Sequence, residues 1–160
     1  MQILVCHGNM IISVLRKERK KENEKMRNEN CIFCKILNGD IPSTKIYEDD
    51  QFAIILDVGP ATFGHALILP KDHYANIYEM PDELLSKAVC LGKTWGEKLV
   101  KALHADGLNL VQNNGTAAGQ TVFHYHLHLI PRYDKDGVGD LWTPGSLTPE
   151  KRQEILDKLA

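Results

Sequence analysis

Three histidines, His124, His126 and His128, occupy alternate positions in the run Gly119-Gln120-Thr121-Val122-Phe123-His124-Tyr125-His126-Leu127-His128-Leu129-Ile130-Pro131-Arg132. Phe123, Tyr125, Leu127 and Leu129 fill the places between them. A period of two reads as a strand, which turns the apolar side chains to one face and the imidazoles to the other. At a rise of about 3.3 Å per residue, neighbouring imidazoles stand roughly 6.6 Å apart along a rigid support. One ring of such a row can attack while its neighbours hold the substrate's charge. Neutral imidazole is nucleophilic near neutral pH because its pKa lies near 6.5. A nitrogen nucleophile on phosphorus splits a slow hydrolysis into two easier steps through a covalent phosphoramidate. A metal-binding His-rich tail and a chance surface tract are the competing readings. Tails are polar and flexible, whereas core-type aliphatics run through this segment.

The elements that must carry this strand follow from the pattern on either side. Cys31 to Leu37 is short and apolar and ends at Asn38-Gly39-Asp40, a helix-stop or turn signal. Ile46 to Glu48 and Phe52 to Asp57 read as two strands of a hairpin turning at Asp49-Asp50. Gly59-Pro60 and Phe63-Gly64 bracket a loop, and His65 to Leu69 is a strand closed by Pro70. Pro81 suits a first helical position. From there Leu84, Leu85, Ala88, Val89, Gly92, Trp95, Leu99, Val100 and Leu103 keep a 3.6-residue period, predicting a helix from about Asp82 to Ala105 that stops at Gly107. Leu108 to Gln112 is the next strand, Asn113 to Gln120 a Gly-rich loop, Val122 to Pro131 the histidine strand, and Thr148 to Leu159 a last amphipathic helix. The sum is an α+β domain: about five antiparallel strands, one long helix over one face, and short terminal helices.

The chain has 160 residues and a net charge of −2, with both signs mixed. That fits one domain and argues against a general nucleic-acid-binding surface. No stretch reaches the roughly 18 apolar residues that span a bilayer. Four cysteines, Cys6, Cys31, Cys34 and Cys90, with no secretory leader point to a reducing compartment, the cytoplasm. Residues 1–25 differ in composition: Arg16 to Lys25 is almost entirely Arg, Lys, Glu and Asn. The expectation is a solvated or non-native extension, with Met26 as the natural start and residues 26–160 as a single domain.

His-x-His-x-His followed by an apolar pair and Pro-Arg resembles the histidine triad (HIT) family of nucleotide hydrolases and transferases. The similarity runs from about Cys31 to Asp136, and the type with an N-terminal C-x-x-C is the one it resembles. By that resemblance His126 is the nucleophile, the main-chain carbonyl of His124 fixes its tautomer, and His128 donates to a phosphate oxygen. The family's fourth histidine follows a glycine, which matches Gly64-His65. The family uses an amide at the position of Asn113 and a hydroxyl at that of Thr121, near the leaving group. Gly119 and Gln120 lie in the same loop, where main-chain N–H groups can approach phosphoryl oxygens. Asp57 matches the family's ribose-binding acid, and Ile32, Phe33 and Ile36 resemble the apolar residues that sandwich a purine base. For each of these, taken alone, ordinary turn chemistry or core packing is the alternative. Gly59 stands where many relatives have serine, a departure beside the ribose.

Cys31-Ile32-Phe33-Cys34 has metal-ligand spacing. In zinc-carrying branches of the family the other ligands match His73 and His124, so the implied zinc is closed and structural, with no catalytic cofactor required. The resemblance thus implies a purine nucleotide substrate and a homodimer. Two alternatives stay open: a nucleotide sensor that needs Asp57 and the apolar pocket but not His126, and a zinc-stabilised interaction module.

Overall fold

The computed structural model describes residues 28–139 and 145–159; the expectations for residues 1–25 and for the start at Met26 lie outside them. Helix α1 (Ile32–Asn38) is followed by β1 (Lys45–Glu48), β2 (Phe52–Leu56) and β3 (Ala66–Pro70). The long helix α2 (Asp82–Leu103) comes next, then β4 (Gly107–Val111), β5 (Leu127–Arg132) and α3 (Pro149–Leu159). The five strands form one antiparallel sheet in the order β1-β2-β3-β5-β4. The α+β architecture is the one the sequence predicts. No helix among the described residues is long and apolar enough to cross a membrane.

Local chemistry explains the element ends. Asp49 accepts hydrogen bonds from the amides of Gln51 and Phe52, closing the β1–β2 turn as an Asx-type turn. Gly39 takes a left-handed conformation after α1, and its amide bonds back to the Ile36 carbonyl. Both ends of α2 differ from the sequence reading. Helix α2 ends at Leu103, with His104 rather than Gly107 in the left-handed position; Gly107 opens β4 instead. Pro81 is the residue before the helix, not its first turn.

Both faces of the sheet are covered. Phe52, Ile54, Ala66, Ile68, Leu127 and Leu129 pack with Tyr125 and Ala88 of α2 on one side. Ala53, Ile55, Leu67 and Leu69 pack with Cys31, Phe33, Cys34 and Leu37 of the α1 segment on the other. Alternation along each strand divides the side chains between the two clusters. Each fully buried Leu, Ile or Phe contributes about 1.5–3 kcal/mol by removal from water. The register Leu67↔His128 puts those two residues side by side on the α1 face, and His65, two residues before Leu67, shares that face.

Gly64 sets the entry into β3. Its φ is +87°, and a Cβ there would collide with Leu103 Cδ1 and lie 3.4 Å from Pro131 Cγ. Gly64→Ala is therefore expected to lower stability by about 1–3 kcal/mol through backbone strain and overpacking. Urea unfolding measures it, and a change below about 0.5 kcal/mol, the range of a neutral surface substitution, would contradict this account.

Candidate active site

The histidine segment is less regular than its alternation suggests. The ladder starts at Leu127, five residues later than Val122, and residues 122–124 form bends. Phe123 is 49% exposed and so stands outside the core, while Tyr125, Leu127 and Leu129 are buried in it. The imidazoles of His124, His126 and His65 are buried as well, and Phe33 of α1 lies against the first two.

Each ring has a fixed hydrogen-bonding direction. A carbonyl can only accept, so the 2.6 Å contact from His126 Nδ1 to the His124 carbonyl places a proton on Nδ1. That leaves the Nε2 lone pair of His126 available. The Ala61 amide donates to His65 Nδ1 at 3.0 Å, so the His65 proton sits on Nε2 and points at His128 Nδ1, 2.9 Å away. His128 in turn carries its proton on Nε2 and can donate it outward. The Asp57 carboxylate stands 3.7 Å from His65 Nδ1, beyond hydrogen-bond range, and Ala61 sets the tautomer. Burial holds His126 and His65 below the ordinary histidine pKa. Burial, with neighbouring His126 and His65, pushes His128 down to about 4. All three rings are thus neutral near pH 7, the form a nitrogen nucleophile and a neutral donor require.

The surroundings divide into groups that face the triad and groups that hold it. Phe33 packs edge-on against His126 at 5.2 Å and His124 at 5.9 Å between ring centres. Ile32 is 47% exposed at the same end of α1, and Ile36 is half-buried against the second cluster. Asp57 follows β2, and one of its carboxylate oxygens accepts from the Gly59 amide at 2.8 Å. The loop after β4 contains Asn113, half-buried, and Thr121, exposed. The amides of Gly119 and Gln120, read from sequence as donors for phosphoryl oxygens, are engaged inside this loop by the carbonyls of Thr116 and Gly115.

Gln120 has a role that sequence did not show. Its side chain is 2% exposed, accepts from the Gly115 amide, and donates to the carbonyls of Ala75 (2.6 Å) and Val122 (3.1 Å). It ties the loop to the segment after β3. Gln120→Leu would leave those backbone groups without partners, at about 1–3 kcal/mol for each one buried. A fall of at least about 2 kcal/mol in thermal unfolding is expected on that basis, and an unchanged melting curve would refute the role. Thr62 was also missed; its hydroxyl donates to the Pro131 carbonyl at 2.5 Å, fixing the loop that supplies Ala61.

A second cluster adjoins the first. The ligand atoms of Cys31, Cys34, His73 and His124 all lie within 4.8 Å of one another. His124 Nδ1 is 3.6 Å from each sulfur, and His73 Nδ1 is 3.4 Å from Cys34 Sγ. His124 Nε2–H donates to the Pro70 carbonyl at 3.0 Å, which leaves the Nδ1 lone pair facing the thiols. That is the outer partner a metal-ligating histidine needs. The Asn28 amide also points at Cys34 Sγ, 3.5 Å away, a contact that favours a thiolate. Burial pushes His124 down to about 4 and lowers His73, so both rings offer lone pairs. Neither cysteine is in a disulfide. The donor set fits a tetrahedral N/S metal ion.

The HIT domain family model matches residues 38–135. The "Protein hit" of Bacillus subtilis is 45% identical over 135 residues, 82% of this chain and 93% of that protein. An adenosine 5'-monophosphoramidase of Saccharomyces cerevisiae is 46% identical over 134 residues, 81% of this chain and 82% of that protein. A crystal structure of a zinc-bound histidine triad family protein from Mycobacterium smegmatis is similar with a TM-score of 0.66 and 36% identity, covering 82% of this chain and 98% of that one. This chain belongs to the HIT family of nucleotide hydrolases.

Proposed function

We propose that this chain is a nucleotidyl hydrolase or transferase that cleaves at the α-phosphate of purine nucleoside monophosphate derivatives through a nucleotidyl-His126 intermediate. The observation that carries the reading is the orientation of His126: Nδ1 is tied to the His124 carbonyl, and Nε2 is left with a lone pair in a buried, neutral ring. Nε2 attacks phosphorus, the N–P bond forms, and the leaving group departs with the electrons of its own bond to phosphorus. Water then adds at the same phosphorus, loses a proton, and releases the nucleoside monophosphate and His126. His128, with its proton held on Nε2 by the relay from Ala61 and His65, stabilises charge on a phosphoryl oxygen by donating a hydrogen bond to it.

Asp57 binds the ribose hydroxyls and the Ile32, Phe33 and Ile36 end of α1 receives the base. Asn113 and Thr121 serve the leaving-group side, while Gly119 and Gln120 hold the loop's shape. The name of the yeast relative, a monophosphoramidase, supports an adenosine 5'-phosphoramidate as a test substrate. Steady-state turnover of that compound tests the function, with AMP release expected and none overturning it.

Cys31, Cys34, His73 and His124 would hold zinc as a closed structural site. That reading is supported by their donor chemistry and by the zinc-bound relative. A homodimer is proposed across α2 and the edge strand β4, where Val89 and Leu110 remain 52% and 45% exposed. The free thiols suit a cytoplasmic setting.

A further inference from the structure

One peptide unit lies between the two clusters. The His124–Tyr125 peptide presents its carbonyl to His126 Nδ1 at 2.6 Å, and its N–H donates to the Tyr74 carbonyl, also at 2.6 Å. Residues 122–124 form bends and β5 begins only at Leu127, so no ladder pair holds this plane. Besides the core packing of the Tyr125 side chain, its supports are the ring of His124 on one side and the His73-Tyr74 segment on the other. Both His73 and His124 belong to the Cys31/Cys34 cluster, with all four ligand atoms within 4.8 Å of one another. A metal held there would fasten residue 73 to residue 124 and thereby fix the peptide that orients the nucleophile. Helix α1 has its own anchorage through Phe33 and Leu37 in the second core cluster, so the base-binding end does not depend on the metal in the same way.

We propose that Cys31, Cys34 and His73 are positioning residues of the nucleophile: a bound zinc ion clamps the His124–Tyr125 peptide between two of its ligands, and occupancy controls the orientation of His126. The effect on rate rests on the nucleotidyl-transfer reading above, whereas the effect on orientation does not. Zinc supplies only the tether here and takes no part in the bond exchange. Turnover and orientation can therefore be measured apart.

The experiment uses the full-length protein labelled with 15N-histidine, compared by long-range 1H–15N correlation with zinc bound and after dialysis against a chelator. With zinc, His126 is expected as a single tautomer with a slowly exchanging Nδ1 proton. Without it, the two tautomers average. For adenosine 5'-phosphoramidate, kcat is expected to fall at least about tenfold while KM stays within about twofold, the signature of lost transition-state positioning. His73→Asn, zinc-loaded through the remaining three ligands, should show the same loosening, and His73→Cys should reverse it by restoring a fourth ligand. An unchanged His126 tautomer in folded metal-free protein or in His73→Asn overturns the proposal. Unfolding of both also overturns it, because the metal is then a requirement of the fold and not a clamp on one peptide. If wild-type protein turns over no nucleotide, the functional reading fails while the tautomer comparison still decides this one.

Discussion

His126→Ala is expected to lower kcat for an adenosine 5'-phosphoramidate by at least about 10³-fold, because nucleophile and orienting groups act as a unit. That is roughly 4 kcal/mol of transition-state stabilisation. Affinity for AMP should stay within about threefold, less than 1 kcal/mol, since Asp57 and the α1 pocket do not use the His126 lone pair. The substitution removes a ring that is 5% exposed and packed edge-on against Phe33, so some stability is lost as well. Circular dichroism and a thermal melt distinguish that from the kinetic effect. Near wild-type turnover in a folded His126→Ala protein would exclude the covalent route. Added imidazole partly restoring His126→Gly would support it, because the free ring could occupy the vacated space and present the same nitrogen.

The second large effect concerns the metal cluster. Protein purified without added zinc is expected to carry about one equivalent per chain, as a closed Cys2His2 set would bind. Cys34→Ser should lose it, and so should Cys31→Ser. Since the metal binds the folded site, its loss lowers stability by about 2.7 kcal/mol when free metal is 100-fold above Kd. Cys34 is 1% exposed, so a serine hydroxyl in its place adds a desolvation cost in the same direction. Metal analysis with denaturant unfolding checks both parts. Metal-free wild-type protein with the stability of both variants would remove the zinc site from the account.

Much of this arrangement was legible because it is local. The alternation of His124, His126 and His128 with Tyr125, Leu127 and Leu129 marks the core and the imidazole row correctly, although only His128 of the three lies within β5 and the strand reading from Val122 was too long. The hairpin at Asp49-Asp50 and the stop at Gly39 follow from side chains and φ preferences within a few residues. The end of α2 was misjudged because His104 adopts the left-handed conformation, with its amide bonded to the Val100 carbonyl, a role more often taken by glycine. The burial of the imidazoles was not legible. Alternation predicted a polar face, and nothing in the strand itself says that α1, about 90 residues earlier in the chain (93 between Cys31 and His124), folds across it.

The resemblance supplied the His124 carbonyl beside His126, but two other partners that fix tautomers were invisible for a different reason. The carbonyl of Pro70 and the amide of Ala61 are main-chain groups, and every residue type but proline offers both. Only long-range packing decides which of them meets an imidazole. Gln120 shows the converse case: its sequence neighbours suggested substrate contact, while its amide is used up by three backbone groups that the loop and the segment after β3 bring to it.

The central claim is the covalent bond between His126 and the nucleotide, and intact-protein mass spectrometry after a millisecond quench into alkaline denaturant, in which a P–N bond to imidazole survives, tests it most directly. With adenosine 5'-phosphoramidate, a fraction of the chains should gain the mass of one adenylyl group, and peptide mapping should place it on His126. The adduct should disappear as substrate is exhausted and be absent from His126→Ala. Steady AMP production with no adduct at any quench time, or an adduct on another residue that forms and decays at the catalytic rate, would contradict the account.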